Sequence, residues 1–61
     1  MQSDIIKEIE LERNMINGCL NVLQRTDDEL EVYRQVTNIN FYMNRILKLK
    51  IKFMEAQNEN N

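Results

Sequence analysis

The chain has no proline and a single glycine, Gly18, in 61 residues. Proline removes a backbone donor and clashes with the preceding helical turn, and glycine supplies the conformations that tight turns need. With almost none of either, nothing interrupts a helix at more than one or two positions, and β-hairpin turn signals are nearly absent. The fold class read from this is all-α. A chain this short buries only about 60 % of the surface its unfolded form exposes, so a core of its own is marginal without support. One cysteine and no histidine leave no internal disulfide and no Cys/His metal site, which makes association with another chain the expected support.

Ser3 followed by Asp4 reads as an N-cap with an acidic first turn. From there Ile5, Ile9, Ile16, Leu20 and Leu23 fall within about 60° of one another on a helix. Leu11, Met15 and Val22 form a second row, with Cys19 between the two, so the apolar arc is wide enough to touch more than one neighbouring helix. Asn17-Gly18 is a familiar helix stop, but the stripe continues in phase through Leu20 and Leu23. The helix is therefore expected to run through, with Gly18 permitting close approach of a neighbour.

Thr26-Asp27-Asp28-Glu29 has the form of a capping box, placing the next helix start at Asp27. Downstream, Val32, Val36, Ile39, Met43, Ile46, Leu47 and Met54 share a face, with Tyr33 beside it. The expectation is an antiparallel helical hairpin with helices at about 4–24 and 27–55, in one domain spanning 1–57 and followed by a frayed polar tail, 58–61. At 1.5 Å per residue the helices are roughly 30 and 43 Å long, so about 13 Å of the second, near Lys48–Met54, would overhang.

Residues 1–31 carry eight carboxylates against three cations, net −5, whereas 32–61 carry five cations against two carboxylates, net +3. Folding back brings unlike charges together, which favours the hairpin. The overall charge of −2 gives no general reason to bind nucleic acid or anionic lipid. No apolar run approaches a bilayer span, and a lone cysteine fits a reducing interior, so the chain reads as cytoplasmic.

Catalysis is poorly served: there is no histidine, no glycine-rich phosphate loop, and one serine near the N-terminus. Cys19 lies on the apolar arc with no imidazole to activate it and reads as a buried structural thiol. Glu8 and Glu12 could form half of a carboxylate metal site, but the Glu-x-x-His pair such sites require is missing; their expected partners are Arg45 or Lys48. Neither metal nor cofactor is expected. Two polar residues interrupt the second helix's apolar face. Asn40 is a candidate for setting register in a helical seam, and Lys50 is expected to lay its methylenes on apolar surface with its ammonium in water. Phe41, Tyr42, Leu49 and Phe53 fall around the remaining circumference, so an apolar face that wide would be covered by a dimer or by another protein.

Arg13 to Ile16 and Thr26 to Phe41 are similar in spacing to the two helices of the bacterial sporulation stage-zero aspartyl-phosphate phosphatases, which the chain resembles over about half its length. That family carries Ser-Gln-Glu-Leu-Asp on its second helix. The corresponding stretch here is Arg34-Gln35-Val36-Thr37-Asn38, in which Gln35 matches and Asn38 supplies an amide where the family has its catalytic aspartate. The resemblance implies, as an alternative, a phosphatase or regulator of a bacterial response regulator.

The residues themselves point to a small non-catalytic protein-interaction module, a regulatory or assembly subunit. It would dimerise into a four-helix bundle or dock into a larger helical assembly. The expected interface is Ile9, Ile16, Leu20 and Leu23 on the first helix and Val32, Val36, Ile39, Met43, Ile46 and Leu47 on the second, with Phe53 and Met54 on the overhang. Each contributes by apolar burial, about 1.5–3 kcal/mol when fully covered.

Overall fold

The computed structural model describes residues 2–59. Two helices, α1 (Gln2–Arg25) and α2 (Glu29–Glu59), pack against each other as an antiparallel hairpin. The hairpin forms a single layer whose backbone measures 50 × 14 × 10 Å. The all-α expectation holds, and Asn17-Gly18 does not break α1, in which Gly18 has an ordinary helical φ. A Cβ placed on Gly18 would meet nothing within 4 Å. The close approach expected there is therefore not made within the hairpin.

Both ends of the expected helices shift. Ser3 lies inside α1 rather than capping it, because nothing at the second position resists helical backbone. The second helix starts two residues later than Thr26 as a cap would place it. The Thr26 N–H still donates to the Val22 carbonyl at 3.1 Å, which prolongs the winding of α1, and the Thr26 hydroxyl accepts from the Asp28 N–H at 3.2 Å. Asp28 then takes over as the cap. Its carboxylate accepts from the Leu30 N–H at 3.0 Å, and its carbonyl accepts the first α2 bond, from the Val32 N–H, at 2.9 Å. A cap at Thr26 would leave almost no chain to cross the 8–10 Å that separates packed helix axes. The three-residue link 26–28 crosses it. At the other end α2 runs through Asn58 to Glu59, four residues past its expected end, since Ala56 and Gln57 offer no reason to stop. Asn60 and Asn61, part of the expected tail, lie outside the described residues.

The seam alternates three- and four-residue steps along α1 and, from Gln35 onward, along α2. On α1 the covered positions are Ile5, Ile9, Glu12, Ile16, Cys19 and Leu23, continuing to Thr26 in the turn; on α2 they are Gln35, Ile39, Tyr42, Ile46, Leu49, Phe53 and Ala56, preceded by Glu31 one four-residue step before Gln35. This is the a/d spacing of a two-helix coiled-coil seam. Tyr42, Leu49 and Phe53 were expected on the outer circumference. They instead face α1, and with Phe53 half-covered the overhang is confined to the last turn or so of α2. Only Cys19, Leu49 and Glu12, at 8, 9 and 9 % exposure, count as buried among the described residues. One layer of two helices can enclose little more than that.

Candidate protein-interaction surface

The twelve residues expected to make an interface divide into two sets. Ile9, Ile16, Leu23, Ile39, Ile46 and Phe53 lie half-buried in the seam and are occupied in holding the hairpin together. Leu20, Val32, Val36, Met43, Leu47 and Met54 are exposed. On α2 the exposed set has a regular order. Val36, Asn40, Met43, Leu47, Lys50 and Met54 repeat the three-four spacing of the seam, rotated about 100° around the helix. The four apolar members are 44, 56, 57 and 61 % exposed. They form a second apolar row along one broad side of the layer. Ile6 and Leu20 of α1 flank it on that side, and Ile51 borders it on α2; all three are exposed.

The opposite broad side is built differently. Here α1 contributes Leu11, Met15 and Val22, all exposed, with Gly18 in the same row. Beside them Arg45 crosses the seam to Glu12, its Nε donating to Oε1 at 2.8 Å. This is one of the partners expected for that carboxylate. The guanidinium also lies 5.7 Å from the centre of the Phe41 ring, which meets Tyr42 edge-on at 5.5 Å. Glu12 sits inside an otherwise apolar row, and its second oxygen is sealed from solvent with no hydrogen-bond partner. Near this pair, Glu8, Phe41, Arg45, Lys48, Leu49 and Lys52 line an open cleft of about 350 Å³. The chemistry available there is charge pairing and apolar contact.

The remaining candidates take structural positions. Cys19 is buried in the seam. Gln35, the residue shared with the sporulation phosphatase signature, also faces the seam and donates from Nε2 to Glu31 Oε1 at 2.8 Å. Asn38 is exposed on α2. Asp27, Asp28 and Glu29 serve the turn and the start of α2, with Asp28 making the cap. Among the described residues no helix is long and apolar enough to cross a membrane.

Sequence reasoning did not place Glu12, Gln35, Tyr42 and Leu49 in the seam, although it named Arg45 among the expected partners of Glu12. A signal for them was present. Positions 35, 39, 42, 46, 49 and 53 alternate four- and three-residue steps without a gap, and Glu12 falls in phase with Ile9 and Ile16. The polarity of Glu12 and the proximity of a richer aliphatic row on α2 concealed the pattern.

Protein-family models, curated proteins and solved structures yield no match to this chain. The chain forms a two-helix antiparallel hairpin, and no family model supports its assignment to the sporulation phosphatases.

Proposed function

We propose that this protein is a small, non-catalytic interaction module, a regulatory or assembly subunit that binds another helical surface through the outer row of α2. The observation that carries this is the row Val36, Met43, Leu47 and Met54. It is regular in spacing, apolar, and left in water by a hairpin whose own seam is already complete. Isolated exposed apolar residues are ordinary on a monomer. A row some five turns long, interrupted only at Asn40 and Lys50, matches instead the anchors of helix-in-groove recognition and of bundle assembly.

The test separates surface from seam. Met43→Lys with Leu47→Lys leaves the seam untouched and should preserve helical content by circular dichroism. It should also abolish whatever association the natural chain shows by sedimentation, with itself or with a helical protein that co-purifies from its source. Association unchanged by the double substitution would overturn the reading.

A further inference from the structure

We infer that the outer row of α2 is built to bind a second copy of this chain, α2 against α2 and antiparallel, about a two-fold axis crossing at the level of Arg45. This rests on the interaction-module reading and names its partner. The argument starts from the two residues that do not belong in an apolar row, Asn40 and Lys50. The row Val36, Asn40, Met43, Leu47, Lys50 and Met54 is symmetric about position 45. Reversing a second copy across that point sets Val36 against Met54, Met43 against Leu47, and Asn40 against Lys50. Every apolar residue meets an apolar residue, and each polar residue meets the other. The side-chain carbonyl of Asn40 is an acceptor for the ammonium of Lys50 in the partner copy, and the pair occurs twice. The pairs also follow the rule that a positions face d positions when coiled-coil helices run antiparallel, since 36, 43 and 50 are of one kind and 40, 47 and 54 of the other.

The competing arrangements do worse. Parallel packing of the same row would place Lys50 against Lys50, two like charges in a forming apolar seam. Laying α2 over α1 of the second copy would set Met43 and Leu47 against the polar stretch around Glu10 and Arg13, because the Arg45–Glu12 pair places those residues at the same level of the hairpin. In the antiparallel arrangement Glu10 and Arg13 instead bracket the axis, so opposite charges from the two copies lie near one another. The other broad side has only Leu11, Met15 and Val22 as apolar members of its α1 row. Size agrees as well. A face 50 Å long and 14 Å across is comparable with the roughly 800 Å² that each partner contributes to a stable complex. The product is a four-helix bundle in which every copy gains the second layer its own two helices lack.

Sedimentation equilibrium over a concentration series, with circular dichroism on the same samples, tests the pairing through charge. The natural chain should be a helical dimer. Asn40→Lys sets lysine against lysine twice and should weaken the dimer by roughly tenfold or more. Adding Lys50→Glu to that variant restores unlike charges at both pairs and should recover the natural affinity. Positions 40 and 50 are exposed in the hairpin, and lysine and glutamate are good helix formers, so helicity at high concentration should be retained throughout. Leu47→Lys, which does not depend on the polar pairs, should also favour monomer. A natural chain that stays monomeric and helical would overturn the inference, as would a dimer indifferent to Asn40→Lys or not rescued by Lys50→Glu. The broader module reading would survive a helical monomer whose binding to another protein is lost on Met43→Lys with Leu47→Lys. It fails only where that double substitution changes no association at all.

Discussion

Glu12 and Arg45 offer opposite outcomes from the two ends of one ion pair. Glu12 is 9 % exposed, lies between Ile9 and Ile16 in the α1 seam, and has one oxygen with no partner. Arg45 keeps 55 % of its side chain in water. Arg45→Ala removes the carboxylate's hydrogen bond and leaves a buried acceptor unpaired, a loss of about 1–3 kcal/mol. Glu12→Leu removes the buried charge altogether, and Arg45 can rehydrate because it is already half-solvated. Losing a partly exposed pair costs about 0.2–1 kcal/mol, while a leucine well covered in the seam contributes about 1.5–3 kcal/mol. The expected net is a gain of about 1–2 kcal/mol. For a domain of this size each 1 kcal/mol moves Tm by roughly 4–8 °C. Thermal unfolding followed by circular dichroism, at one fixed concentration because association shifts Tm, should show Glu12→Leu melting above the natural chain and Arg45→Ala below it. Both variants melting lower would refute the reasoning, since it would mean that the pair contributes more than the apolar burial it displaces.

Three further outcomes are expected from the same assay. Gly18→Ala should stabilise by about 0.5–1 kcal/mol, because the position is helical, a Cβ there meets nothing within 4 Å, and glycine is a poor helix former; a lower Tm would mean that something in the assembled protein needs that space. Asp28→Ala should cost about 1 kcal/mol through loss of the α2 cap, whereas Asp27→Ala, which caps nothing, should have little effect; equal losses would return the cap to Thr26. Leu49→Ala should destabilise by about 2–3 kcal/mol as a seam truncation. In dilute monomer Leu47→Ala should stay within about 0.5 kcal/mol as a surface change, and a reversed order would mean that the seam runs along the other row.

The absence of proline and the lone glycine made two helices legible, and the contrast in charge between the halves made their antiparallel return legible. The facing of α2 was not. That helix carries two apolar rows of identical spacing about a quarter-turn apart, and periodicity alone cannot say which of two equivalent rows meets α1. The link is three residues, 26–28, where the expected bounds left two, and its length helps set the phase at which α2 begins. On α1 the true row was masked by Glu12, a charged residue that would ordinarily mark the solvent side. Leu20, more apolar by type, faces out. The interaction surface was legible as an excess of apolar residues. Which six of them remained available followed only from seeing which six the hairpin consumed.

A single layer of two helices has no inside. Every peptide group in it lies within one helix width of water, so depth protects none of the amides, and resistance to hydrogen–deuterium exchange can come only from the helices staying paired. Amides of α1 and α2 alongside the seam should then exchange at a common rate, that of the hairpin opening as a unit, with the last turn of α2 beyond Phe53 exchanging ahead of them. Covering the outer row would slow that shared rate for both helices together, including α1 residues far from the covered face. In such a thin protein, occupancy of one side is reported by the whole chain.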